Sequence, residues 1–152
     1  MSSERMMETM DRSTRHRVTG GVRLVAVLCV AAFAAAVACD SSAPRVDVSL
    51  KDAYAEWKSE DPPIFLDTRS ETEYRQGHIE GSIHIPHTEV AGRIDELRAT
   101  GESRIIVYCE RGGRARVAED ALAAAGGFEV RHMEGDMRGW RRSDLPVVRG
   151  GG

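Results

Sequence analysis

At 152 residues the chain is long enough for one domain with a real hydrophobic core. A net charge of −3 and an aromatic content of 5% give no support to nucleic-acid binding. The charge is unevenly spread: residues 1–38 hold five arginines against Glu4, Glu8 and Asp11, so the rest of the chain is the acidic part. Of three cysteines, Cys29, Cys39 and Cys109, neither of the first two is placed to bridge to Cys109, and together they make no zinc pattern. Cysteine usage points to a solitary functional thiol.

Arg12, Arg15, Arg17 and Arg23 precede an apolar run, Leu24 to Ala38, of about 15 residues, short of the roughly 20 that a spanning helix needs. A basic flank, an apolar run and small residues at its end predict a secretory signal over 1–38. Ala36-Val37-Ala38 satisfies the small-x-small rule for ordinary cleavage, and with Cys39 it also resembles a bacterial lipoprotein signal. In that resemblance Cys39 becomes the lipidated first residue of the mature chain; Ala36 stands where such signals more often carry a larger aliphatic residue. Residues 39–45, with Ser41-Ser42-Ala43-Pro44, read as a polar tether. Either processing route sends the domain out of the cytoplasm into an oxidising setting.

The folded part is expected over 46–149, with 150–152 as a tail. Arg45 to Val48 reads as a short strand, and Ser49 caps a helix whose apolar face is Leu50, Ala53, Tyr54 and Trp57. Pro62-Pro63 ends that unit. Ile64-Phe65-Leu66 is a second buried strand running into Asp67, and Ser70-Glu71-Thr72-Glu73 is a capping box that opens a short helix ending near Gly77. Ser82 to Ile85, closed by Pro86, is a third strand, and Thr88 is expected to cap a helix carrying Val90, Ile94 and Leu97. Ile105 to Tyr108 is β-branched and too short for a helix, hence a fourth strand. Val117, Ala118, Ala121, Leu122 and Ala125 recur at helical spacing, with Gly126-Gly127 as the stop. Val130 to Met133 is a last strand, and Met137 to Trp140 a helical turn. Strands alternating with helices predict an α/β domain, a parallel sheet covered on both faces, with ligands beyond the carboxyl ends of the strands.

Cys109 lies where the fourth strand ends and the next helix begins. Gly112 and Gly113 let the backbone curl so that several N–H groups turn towards the sulfur, and the helix N-terminus adds partial positive charge. Such a setting favours the nucleophilic thiolate. The competing reading is a buried core cysteine, in which the glycines and arginines after Cys109 serve no purpose. Arg114 has Ala118 at i+4 and so no helical ion pair; it reads as an anion-binding or loop-ordering group. Arg116, with Asp120 at i+4, needs only a surface ion pair. Arg111 can contact an anionic donor, and Glu110 beside it works against that. Asp67 and Arg69 are expected to tie loops together, His78 to be a satisfied loop histidine, and Trp140 to pack in the core. His84 and His87 are too few for a metal site.

Asp67-Thr68-Arg69, Glu73-Tyr74, Gly77-His78-Ile79-Glu80-Gly81-Ser82 and Ile85-Pro86 resemble the first signature of the rhodanese family. Cys109-x-x-Gly112-x-Arg114 resembles its active-site loop, and Gly135-Asp136-Met137-Arg138-Gly139-Trp140 with Leu145-Pro146-Val147 its closing segment, with Asp136 where the family commonly has a second glycine. The match runs from about Val46 to Val148 in one copy. The resemblance implies a rhodanese-like fold, a central parallel five-stranded sheet with helices on both faces, and sulfur transfer through a Cys109 persulfide. The donor would be thiosulfate or a persulfide and the acceptor a thiol or cyanide, with substrate-side contacts from Glu110, Arg111, Gly112, Gly113 and Arg114. It implies no metal and no organic cofactor. Three other functions compete. A cysteine phosphatase would place five residues between Cys and Arg, where this chain has Glu110 to Gly113. A tethered carrier or partner-binding module would need no turnover. A thiol redox role would want a resolving cysteine near Cys109.

Overall fold

Alternation along the central strands decides the architecture. In the computed structural model, which describes residues 45–150, five strands form one sheet: β1 (Val46–Val48), β2 (Ile64–Asp67), β3 (Ile83–His84), β4 (Arg104–Tyr108) and β5 (Glu129–Met133). Their order is β1-β5-β4-β2-β3 and every pairing is parallel. Each parallel step needs a crossover, and the helices supply it: α1 (Leu50–Trp57), α2 (Glu71–Gln76), α3 (Ile94–Ala99), α4 (Gly113–Ala125) and α5 (Asp136–Arg142). Because successive side chains point to opposite faces, Ile64, Leu66, Ile105 and Val107 pack with α3 and α4 through Leu97, Ala115, Ala118 and Leu122. Phe65, Ile106 and Tyr108 pack the other way, against α1 and α5 through Ala53, Met137 and Trp140. The sheet is therefore covered on both faces, as the expected rhodanese-like α/β fold requires. No helix among the described residues is long and apolar enough to cross a membrane.

Local chemistry sets most of the boundaries. The Ser49 hydroxyl accepts the Asp52 N–H at 3.1 Å and starts α1. The capping box is present in full: Ser70 Oγ accepts from Glu73 N, and a Glu73 carboxylate oxygen accepts from Ser70 N at 3.1 Å. Trp140 is buried between Tyr54, Trp57 and Phe65 and donates its indole N–H to Pro146 O at 2.8 Å, so it belongs to the core.

Three expectations need correction. Thr88 caps nothing: the segment makes a one-turn 3-10 helix over Val90–Gly92, and α3 starts separately at Ile94, with no side-chain cap on either. Glu89 and Glu96 instead pair with Arg93, between the two turns. Arg116 does not pair with Asp120; it approaches Asp47 at 3.8 Å and Glu119 at 3.7 Å, while Arg45 takes Asp120 at 2.6 Å. The third strand is also shorter than its pattern, Ile83–His84 alone. The signal at 1–38, most of the tether and Cys39 lie outside the described residues.

Candidate active site

The site is built where β4 and β2 end side by side, with Asp67 in register with Tyr108. Cys109 follows Tyr108 directly and is 2% exposed. The loop from Glu110 turns into α4 through Gly112, whose φ of +91° is a left-handed conformation that a side chain strains. That turn aims the Gly112 N–H at the sulfur, and Gly112 N lies 3.0 Å from Cys109 Sγ. Of the several loop amides expected on the sulfur, this one is within hydrogen-bond reach among the described residues. The amide of Cys109 itself turns away and donates to Asp136 Oδ1 at 2.8 Å.

Arg114 lies in the first turn of α4, and its two terminal nitrogens bond both oxygens of Glu73, at 2.5 and 2.7 Å. This forked pair ties the cysteine loop to α2. Bonding to Arg114, reinforced by Ser70, holds the Glu73 carboxyl down at about 2. Glu73 in turn keeps the Arg114 guanidinium firmly charged, with a smaller contribution from Cys109. Sequence reading placed Glu73 in a capping box, and it is that; its second role follows from topology that spacing does not show.

The remaining residues named from the sequence frame this centre. Arg69 is 1% exposed and bonds Asp67 through Nε, at 2.9 Å, and through Nη2, at 2.5 Å; it also donates to Gly77 O at 2.7 Å. The pair ties the ends of β2 and α2 together. Glu110 does not hang free beside the sulfur: its carboxylate bonds Arg141 of α5 and lies 3.7 Å from Arg69 Nη1. Arg111, on the loop, and Gly113, the first residue of α4, are exposed. His78 is buried, stacked on Tyr74 and bonded through Nδ1 to Tyr74 O at 2.9 Å. Burial pushes the Tyr108 phenol well above its usual value, and it rests on Ser82 Oγ at 3.1 Å.

Sequence reading missed a chain of three buried groups behind the loop. His132, in β5, puts Nδ1 2.5 Å from Glu119 Oε1 and Nε2 3.3 Å from Asp136 Oδ2. With a carboxylate at each ring nitrogen the imidazolium form is favoured, and Asp136 foremost, then Glu119, raise His132 to about 9. Asp136 was visible in the sequence as an acid at a position where a glycine was expected. His132 and Glu119 gave no signal of that kind.

The rhodanese-like domain family matches residues 49–143, a stretch that contains the loop, its flanking strands and the buried chain behind it. The chain belongs to the rhodanese-like family. An HTH-type transcriptional regulator of Mycobacterium tuberculosis is 42% identical over 87 residues, which are 56% of this chain and 37% of the regulator. The chain thus spans little more than a third of that relative. The uncharacterized protein YibN of Escherichia coli is 26% identical over 148 residues, 95% of this chain and 99% of YibN. Among solved structures, a rhodanese-related protein from Thermoplasma volcanium has a TM-score of 0.59 at 28% identity and covers 68% of this chain and 97% of its own. The thiosulfate sulfurtransferase of Pseudomonas aeruginosa, at 22% identity and a TM-score of 0.60, shares the fold with this rhodanese-like domain.

Proposed function

We propose that this rhodanese-like protein is a sulfurtransferase that carries sulfane sulfur on Cys109. The observation that supports it most is the Gly112 N–H pointed at Cys109 Sγ from 3.0 Å at a strand–helix junction. A sulfur that gains a partner atom there keeps its anionic charge beside an oriented amide and the first turn of α4. The Cys109 thiolate attacks the outer sulfur of thiosulfate, or the terminal sulfur of a persulfide. A new S–S bond forms, the donor's S–S bond breaks, and sulfite or a thiolate leaves with the electron pair. A thiol or cyanide then takes the outer sulfur from Cys109 by the reverse displacement, which restores the thiolate. No redox equivalent is consumed. In keeping with the sequence, the domain acts outside the cytoplasm, anchored by lipid on Cys39.

Intact mass of the full chain after incubation with thiosulfate or glutathione persulfide tests the reading. Wild type should gain one sulfur, lose it to cyanide, and show neither change as Cys109→Ala. A persulfide that forms but is never passed on in repeated cycles would favour a sulfur carrier over a turnover catalyst. No gain with either donor overturns the proposal. Fatty-acid labelling that survives Cys39→Ala overturns the anchor.

A further inference from the structure

Most of the site accounts for the sulfur; one part of it does not. Asp136 has φ of +52°, a left-handed conformation uncommon for a residue with a side chain. It is 4% exposed, it is the first residue of α5, and it stands where a glycine would meet the backbone demand without strain. A strained acid persists when its surroundings over-determine it. Here they do. Oδ1 accepts the Cys109 N–H at 2.8 Å, Oδ2 faces His132 Nε2 at 3.3 Å, and His132 Nδ1 bonds Glu119 at 2.5 Å. The same Oδ2 lies 3.2 Å from where a Cβ on Gly112 would sit, and the His132 ring lies at 3.5 Å from that point. Asp136 and His132 therefore pack against the Gly112 turn that presents its amide to Sγ. Arg45 and Arg116 each approach Glu119 Oε2 at 3.7 Å and close the far end of the chain of charges.

We propose that Asp136, braced through His132 by Glu119, is a positioning residue for the cysteine loop: by holding the Cys109 amide it fixes the direction in which Gly112 presents its N–H to the sulfur. The proposal rests on Cys109 as the working nucleophile, and goes beyond it in assigning the loop's orientation to three residues that touch no substrate. A glycine at 136 satisfies the backbone but leaves the Cys109 N–H without its acceptor. Asparagine keeps an acceptor oxygen and tolerates positive φ, but loses the charge.

The test reads Cys109 alkylation by iodoacetamide in the full chain, followed on the Cys109 peptide by mass spectrometry, because alkylation needs no sulfur donor. A hydrogen bond to a charged acceptor is strong enough that Asp136→Gly should slow alkylation near neutral pH by about tenfold or more. Asp136→Asn should lose no more than about threefold, since a neutral acceptor bond remains. Equal slowing in both variants, or none in the glycine variant, overturns the proposal. Amide exchange in the unmutated chain gives a reading that depends on no variant. The Cys109 N–H should exchange more slowly than the exposed Arg111 amide, and comparable or faster exchange also overturns it. Should wild type gain no sulfur from any donor while these alkylation differences hold, the transferase reading fails and the positioning role stands.

Discussion

Raising the pH from 6 to 9.5 should cost this protein much of its stability, and His132 should be the cause. Its folded-state value, raised from 6.5 to about 9 by Asp136 and Glu119, means that folding favours the protonated ring. The stabilisation is fully present below pH 6.5 and is lost as pH rises through about 9, once both states have shed the proton. A displacement of about 2.5 pH units corresponds to about 3 kcal/mol. With a urea slope of about 1.5 kcal/mol per molar, the transition midpoint should drop by roughly 2 M across that range. Other groups titrate in the same window, so the informative quantity is the difference between wild type and His132→Gln, followed by far-UV circular dichroism in urea at several pH values. That difference should shrink between pH 6.5 and 9.5. A gap that stays constant would refute the linkage, and with it the doubly paired imidazolium.

Three further outcomes follow from the same geometry. Arg69→Met should destabilise by about 3–5 kcal/mol in urea unfolding, because it strands the buried Asp67 carboxylate; replacing Asp67 by Leu in the same chain should recover most of that loss. Gly112→Ala should cost about 1–3 kcal/mol through positive φ and should slow Cys109 alkylation as well, since its Cβ would press on Asp136; wild-type alkylation in the variant would contradict the placement of that turn. Glu73→Gln weakens the grip on both terminal nitrogens of Arg114, so the KM for thiosulfate should fall by roughly threefold, the scale of one partly exposed ion pair. A rise in that KM in steady-state assays would mean that Glu73 shapes the donor site rather than competing with it.

What could be read from the sequence was what neighbours in the chain decide. The Ser70–Glu73 box, the Ser49 cap, the short apolar runs of β2 and β4 and the strand-to-helix position of Cys109 all depend on residues within a turn or two of each other, and all appear in the structure. Where a long-range partner competes, local spacing misleads. Asp120 stands at i+4 from Arg116, yet Arg45, 75 residues away, reaches it first. Thr88 sits in a segment short enough for Arg93 and its two glutamates to decide where the turns fall. The brace behind the loop was hidden for the same reason. Glu119, His132 and Asp136 come from α4, β5 and α5, and no periodicity within one element links a strand histidine to acids on two different helices. Asp136 alone left a trace, as a side chain where a glycine was expected.

The two tryptophans lie in one aromatic cluster, with Trp57 and Trp140 centroids 6.0 Å apart, beside Tyr54 on the α1 and α5 side of the sheet. The opposite layer, built from Ile, Leu, Val and Ala side chains and Cys109 with Phe128 at its margin, contains neither tryptophan nor tyrosine. Intrinsic emission among the described residues is therefore a one-sided gauge. It registers loosening of the layer that carries α5 and is silent on the layer that carries α4, so a melting curve by fluorescence that runs ahead of one by circular dichroism would show the two halves of the sandwich parting company.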